Sequence, residues 1–214
     1  MSEAPQALSD VLRHHGIDLP AEQVALLDRY RRLLWDWNEK INLTRHTDLE
    51  KFVTRDVVDS LALAGLLEAD ERVLDLGTGG GVPGIILAVV RPDLRVTLAE
   101  SVGKKAAVVE QIVRELGLQV PVHAGRAEVL LEKQKFDSVV ARAVAPLSKI
   151  LTWLAPRWRN VRQLLLIKGK SWAEERGEAR HRGLLKDIEV RRLHAYFTPG
   201  TEAESVVLRV SPKK

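Results

Sequence analysis

Apolar residues recur along this chain with two different periods. From Ala21 to Lys40, Leu26, Tyr30, Leu33 and Trp37 fall at steps of four, three and four, joined by Leu27 and Leu34, which predicts an amphipathic helix with a broad core-facing stripe. A shorter helix is predicted over 6–15, where Leu8, Val11 and Leu12 share a face ahead of Gly16. The capping-box sequence Thr47-Asp48-Leu49-Glu50 starts another, continued by Phe52, Val53, Val57, Leu61 and Ala64. Past the acidic link Glu68-Ala69-Asp70-Glu71, short apolar runs alternate with helical stretches, as a parallel sheet requires. Strands are predicted near 72–76, 95–99, 119–123, 136–141, 161–167, 186–193 and 204–210, and helices over 83–90, 103–116, 146–155 and 171–182. The last two strands, separated by Thr198-Pro199-Gly200, read as an antiparallel hairpin at one edge. The pattern divides the chain into a helical region, 1–70, packed on an α/β sheet domain, 71–214.

The most informative junction is Arg72-Val73-Leu74-Asp75-Leu76-Gly77-Thr78-Gly79-Gly80-Gly81-Val82-Pro83-Gly84, a strand, a glycine turn and a helix start. This is the first βα unit of a doubly wound sheet, and the glycines let bare backbone approach a ligand. Gly79 to Gly84 fits G-x-G-x-x-G, and Glu100 follows 21 residues after Gly79, so a dinucleotide site is one reading. Asp75 opposes it, because a carboxylate at that strand end repels a pyrophosphate. S-adenosylmethionine makes the opposite demand: its sulfonium and ammonium are attracted by Asp75, and Glu100 at the next strand end is placed to accept from both ribose hydroxyls. Thr78 and Gly79 of the turn are candidates to line the cofactor. The bland alternative is a turn whose two acids merely cap helices.

Bulk composition narrows the classes. At 214 residues and 45% apolar the chain suits one domain with an appendage. No apolar run reaches the ~20 residues of a membrane span, and Met1-Ser2-Glu3-Ala4-Pro5 resembles no signal peptide, so a cytoplasmic protein with no membrane partner is expected. There is no cysteine, which removes disulfides, thiolate metal sites and Cys nucleophiles, and no metal site is expected. Charge is uneven: residues 1–141 hold 17 Lys and Arg against 22 Asp and Glu, whereas 142–214 hold 16 against 7. The basic end is expected to face an acidic partner.

In open α/β sheets the ligand sits beyond the carboxyl ends of the strands. After the third strand, Gly125-Arg126-Ala127-Glu128 could read an adenine edge through Ala127 and Glu128, or be a surface turn capping a helix. After the fourth comes Ala141-Arg142-Ala143-Val144-Ala145-Pro146, where an amine-methylating enzyme would hold an Asn/Asp-Pro-Pro-Tyr/Phe motif. That motif is absent, and pyrimidine C5 methylation needs the missing Cys. Acceptors that remain are a ring nitrogen that is already nucleophilic, such as guanine N7, or a hydroxyl assisted by a base. Arg142 suits the first, stacking on a base or donating to O6 or a phosphate, unless it is bridged to Glu128 or Asp75. Lys168, after the fifth strand, could contact phosphate or polarise an acceptor oxygen, or be solvated. Arg157-Trp158-Arg159-Asn160-Val161-Arg162 interleaves aromatic and basic residues as a nucleic-acid surface does, with a packed Trp among solvated Arg as the alternative.

Trp35-Asp36-Trp37-Asn38, Asn42-Leu43-Thr44, Asp59-Ser60-Leu61, Asp75 to Gly84, Arg91-Pro92, Gly103-Lys104-Lys105, Ala127-Glu128, Ala141-Arg142-Ala143 and Lys168-Gly169 together resemble the bacterial small-subunit ribosomal RNA guanine-N7 methyltransferases, or glucose-inhibited division protein B. The resemblance covers nearly the whole chain. It implies a class I S-adenosylmethionine-dependent methyltransferase, a Rossmann-like seven-stranded sheet with an N-terminal helical extension, acting on 16S rRNA or a small-subunit precursor, expected as a monomer. Gly77, Val82, Ala127, Glu128 and Arg142 match the family's cofactor-contacting positions, and the helical N-terminus, with Asn42, Thr44 and Arg55, would help hold RNA beside Arg157, Arg159, Arg162 and Lys168. Arg142 and Lys168 are the catalytic candidates. Two departures stand out: Asp56 follows Arg55 where the family usually has His, and Glu100 stands where Asp is common.

Overall fold

The computed structural model describes residues 7–213; Gln6, the first residue of the predicted opening helix, and the Met1–Pro5 stretch lie outside the described residues. Seven strands form one sheet in the order β3-β2-β1-β4-β5-β7-β6. They are β1 (Arg72–Leu76), β2 (Arg95–Glu100), β3 (Val122–Ala124), β4 (Phe136–Arg142), β5 (Val161–Lys168), β6 (Ile188–Phe197) and β7 (Glu204–Pro212). β1 to β5 run parallel, and β7 enters antiparallel between β5 and β6. Strand order reverses where β1 lies between β2 and β4, so the carboxyl ends of these strands flank the ligand crevice.

Alternation along β1 separates the two faces. Val73 joins the core under the N-terminal helices, whereas Leu74 and Leu76 join the core on the opposite face. Asp75, alternating with Val73, therefore points toward the N-terminal helices. That face is covered by α1 (Leu8–His14), α2 (Ala21–Asn38), α5 (Gly84–Val90) and α6 (Gly103–Leu116), and the other by α7 (Ala127–Lys133), α8 (Leu147–Leu154) and α9 (Trp172–His181). In α2 the fully buried residues are Leu27, Tyr30 and Leu34, with Leu26, Leu33 and Trp37 half-buried. The centre of the stripe is thus turned by about a residue from the predicted one.

Several boundaries differ from expectation. The helix predicted to start at Thr47 is capped by Asp48, whose carboxylate accepts from Lys51 N at 2.7 Å. It runs as α3 (Leu49–Lys51), a π-helical segment (Phe52–Val57) and α4 (Val58–Ala64). β3 starts at Val122 rather than 119, because Gly117 ends α6 in the left-handed region and Pro121 has no N–H to donate. Ala127–Lys133 is a helix outside the predicted helix ranges, in keeping with the alternative of a turn at Gly125-Arg126 that caps a helix. β6 begins at Ile188 and extends to Phe197, past the predicted end at 193, with a bulge between Arg192 and His194.

Candidate active site

The glycine turn is built from its own backbone and two strand-end acids. Gly77 N and Thr78 N both donate to Ala99 O, at 2.9 and 3.0 Å. Asp75 Oδ2 accepts from Thr78 Oγ1 at 2.6 Å and from Gly84 N at 2.9 Å, which ties the two ends of the turn together. A Cβ on Gly84 would lie 2.1 Å from Leu98 Cδ2 and 2.7 Å from Asp75 Oδ2, so only glycine fits. Glu100 reaches across from β2: its Oε2 accepts from Gly79 N at 2.9 Å and its Oε1 from Val102 N at 2.8 Å. From the N-terminal side Tyr30 donates to Gly80 O at 2.9 Å.

Two sequence expectations change here. Asp75 has no exposed surface, so it supports the turn from beneath instead of lying open in the crevice. Thr78 is also buried, and its hydroxyl is committed to Asp75 instead of facing open space. Asp75 Oδ1, however, is buried with no partner, and burial pushes the carboxyl up to about 6, against the pull of Thr78 and Gly84. Gly79, at φ +61°, faces open space where a Cβ would meet only Gly77 O at 4.0 Å. Val82 is nearly buried at the end of the turn.

Arg142, at the carboxyl end of β4, is paired with neither Glu128 nor Asp75. It bridges Asp56 Oδ1 at 2.7 Å and Asp59 Oδ2 at 3.2 Å, and donates to Arg55 O at 3.4 Å. Burial would lower its pKa, but Asp56 and Asp59 outweigh that and hold it above the ordinary guanidinium value. Asp56, at 0% exposure, also accepts at 2.7 Å from His46 Nδ1, and Asp59 accepts at 2.6 Å from Tyr196 Oη on β6. Burial, then Asp59, pushes Tyr196 far above the phenol range, so it stays a donor. Arg55 donates to Thr198 Oγ1 at 2.5 Å, joining the π-helical segment to the β6–β7 loop. A carboxylate pair from the helical region therefore grips the cation at the sheet's rim. In the sequence Asp59 stood out only within the Asp59-Ser60-Leu61 motif, Asp56 as a departure after Arg55, and Tyr30 as core, while His46 and Tyr196, whose partners are 10 and 137 residues away, did not stand out.

Lys168 is not free at the rim. Its Nζ donates to Ala145 O and Glu175 Oε2, both at 2.7 Å, and the same Glu175 oxygen accepts from Leu147 N at 2.7 Å. Lys168 and Glu175 thus clamp the loop after β4, where Ala143 stands at φ +53° and Val144 packs against Gly77. Ala127 and Glu128 open α7 beyond β3; Ala127 is buried, and Glu128 bonds to Arg126 at 3.1 Å. Nearer the N-terminus, Asn42 is exposed, Thr44 Oγ1 accepts from His46 N at 3.0 Å, and Leu43 lies against Gly80.

The run Arg157 to Arg162 precedes β5 and so lies at the opposite end of the sheet from the crevice. Arg157 donates to Glu128 O at 2.9 Å and Trp153 O at 2.7 Å and bridges Glu132; Arg162 bridges Glu71, with Glu68 at 3.5 Å. Trp158 packs on the core, and Arg159 is exposed. Within the expected aromatic-basic surface, Trp158 and Arg157 are thus partly buried and engaged, whereas Arg159 and Arg162 are exposed, Arg162 beside two acids. The acids beside Arg157 and Arg162 are ones that the local sequence does not show.

The sequence pattern of the GidB family, rRNA small subunit methyltransferase G, matches residues 23–203. The chain is 51% identical over 185 residues to the ribosomal RNA small subunit methyltransferase G of Rhodopirellula baltica, spanning 86% of this chain and 80% of that one. It is 36% identical over 204 residues to that of Chromobacterium violaceum, spanning 95% of each. Its fold is similar to that of M. capricolum TrmK in complex with the natural cofactor product S-adenosyl-homocysteine, with a TM-score of 0.57 and 13% identity over 73% of this chain and 68% of that one.

Proposed function

We propose that this chain, which belongs to the rRNA small subunit methyltransferase G family, methylates N7 of a guanosine in small-subunit (16S) ribosomal RNA by positioning, with no side chain acting as a base. It is a class I S-adenosylmethionine-dependent methyltransferase by family and fold. The residues present fit that cofactor. An unpartnered buried carboxylate oxygen on Asp75 suits a cationic ligand, and the open side of Gly79 leaves room for one. Glu100 keeps further lone pairs for ribose hydroxyls, and the N-terminus of α7 at Ala127 and Glu128 offers backbone N–H groups to an adenine edge. Gly77 and Val82 would form the wall. When bound, S-adenosylmethionine supplies an electrophilic methyl group on a sulfonium.

The observation that carries the proposal is that the rim carboxylates are already engaged. Asp56 and Asp59 hold Arg142, Glu175 holds Lys168, and Glu100 holds backbone N–H groups. Each is committed through at least one oxygen, and Asp56 Oδ2, which has no partner, is buried away from the rim's open side. Guanine N7 needs none removed: its lone pair lies in the ring plane, and on methylation the positive charge passes to the purine. The task left is alignment. Arg142, with its in-plane donors fixed by two carboxylates, presents a guanidinium of set orientation on which a base can stack or to which O6 can bond. Lys168 supports this indirectly by fixing the loop that follows Arg142. Arg55, whose carbonyl accepts from Arg142, Thr44, bonded to His46 beside Asp56, and the exposed Asn42 are the RNA-facing candidates of the helical region. No helix of the described residues is long and apolar enough to cross a membrane, and we place the protein in the cytoplasm with its rRNA substrate. The turn, its acids and Arg142 all come from one chain, so a monomer suffices. Nucleoside analysis of small-subunit rRNA incubated with the purified protein and S-adenosylmethionine tests the reading: 7-methylguanosine at one position is expected, and ribose 2′-O-methylation would overturn it.

A further inference from the structure

The bulge in β6 has a geometric consequence. Side chains alternate faces along a strand, but one extra residue between Arg192 and His194 shifts that alternation. Arg191 pairs with Arg209, His194 with Val207 and Tyr196 with Ser205. Residues 205, 207 and 209 share one face of β7, so Arg191, His194 and Tyr196 share one face of β6. Without the bulge, Arg191 and Tyr196 would lie on opposite faces. The stripe starts at Tyr196, bonded to Asp59 beside Arg142, and runs about 15 Å down the edge strand at roughly 3.3 Å per residue.

The chemistry of the stripe is cationic and aromatic. His194 is exposed, and its ring lies nearly parallel to that of Tyr196, with centroids 5.6 Å apart and an interplanar angle of 19°. Arg191 and Arg209 are directly opposite each other, an arrangement of like charges that is unfavourable in a sheet without an anion nearby. Glu189 lies 2.8 Å from Arg191; among the described residues, Arg209 has no carboxylate within ion-pair distance. These two arginines open into a groove of about 710 Å³ that is also lined by Lys213 and by Arg162, which is paired with Glu71; Arg191, Arg209 and Lys213 then face the single lining carboxylate of Glu189. A surplus of fixed positive charge beside stacked rings on an exposed edge matches single-stranded nucleic acid, whose bases stack and whose phosphates bring the counter-charge.

We propose that the exposed edge strand β6, with Arg209 beside it, is a track for the RNA strand flanking the target guanosine, with His194 and Tyr196 as a stacking surface and Arg191 and Arg209 as phosphate contacts. This rests on the reading of the protein as an rRNA methyltransferase and adds the direction in which the substrate leaves the site. The test uses the full-length protein and small ribosomal subunits from cells lacking the gene. Filter binding across a salt series measures RNA affinity without requiring methyl transfer, and wild-type methyl transfer measured in parallel reports on the activity separately. Arg191→Gln with Arg209→Gln should weaken RNA binding about tenfold and lower the salt slope by about 1.4, two phosphates at ~0.7 each for single strands. His194→Ala should weaken binding about fivefold or more with the slope retained, since stacking carries no counterion release. Affinity for S-adenosylmethionine should be unaltered in both. Unchanged RNA affinity and slope would overturn the proposal, as would a parallel loss of cofactor binding or melting temperature, which would make these residues part of the fold.

Discussion

Replacing Asp75 by Asn tests whether the acid beneath the glycine turn serves the cofactor. Burial raises its pKa from 3.8 to about 6, which corresponds to about 3 kcal/mol against the ionised form. The folded chain therefore binds the proton more tightly than the unfolded chain. Stability conferred by protonated Asp75 is fully present below about pH 4 and is lost as pH rises through about 6. A cationic ligand reverses the preference by favouring the carboxylate. If bound S-adenosylmethionine restores the ordinary pKa, its affinity should fall about tenfold between pH 7 and pH 5, with a limit of about two decades at still lower pH. Calorimetric titration across that range should show this slope in the wild type and not in Asp75→Asn, which should also bind more weakly at pH 7. S-adenosylhomocysteine, lacking the sulfonium charge, should show a shallower slope. The apo stability difference between the two proteins should change by up to about 3 kcal/mol between pH 4 and 7. A wild-type affinity flat from pH 5 to 7, or a slope that survives in Asp75→Asn, would refute the reasoning.

Gly84→Ala places a methyl group 2.1 Å from Leu98 Cδ2 and should cost about 3 kcal/mol or more, read as a fall in melting temperature of roughly 6–12 °C. Replacing Arg157 by Gln should leave the salt slope of RNA binding unchanged and lower the melting temperature, because Arg157 is tied to Glu132 and to the carbonyls of Glu128 and Trp153. Arg142→Lys should lose at least tenfold in kcat/KM, since one ammonium cannot span Asp56 and Asp59 while keeping a planar face toward the base; near-normal kinetics would remove Arg142 from the positioning role.

How much could be read before folding depended on the range of the interaction. Asp75, Gly77 to Gly84 and Glu100 form a local unit whose spacing carries its geometry, so the turn and its two acids were legible. Even there, that Asp75 lies beneath the turn depends on which face of β1 it shares with Val73, and that on the packing of α2. The Arg142 site was legible only by half. Its position at the end of β4 follows from strand order, but its partners Asp56 and Asp59 come from a helix more than 80 residues earlier, and Tyr196 from a strand more than 50 residues later. The Arg157 to Arg162 run was legible only in part for the same reason: local sequence shows the cations and not Glu132 and Glu71, which pair with Arg157 and Arg162. Lys168 failed as a free rim residue because Glu175, one turn into α9, folds back onto it. The β6 register was beyond local pattern, since a single bulged residue reverses which side chains face the site.

The central claim is that this site aligns guanine N7 and removes no proton. The direct measurement is the single-turnover rate of methyl transfer at saturating S-adenosylmethionine and rRNA, followed from about pH 6 to 9, where a base poised near neutrality would titrate. If the bound cofactor restores the ordinary carboxylate pKa of Asp75, the condition tested by the affinity profile above, its own titration lies below this range. A nearly flat profile is predicted. A rate that climbs tenfold per pH unit and levels off, with the break traced to Lys168 or another single side chain, would contradict the account and assign the chemistry to a hydroxyl acceptor.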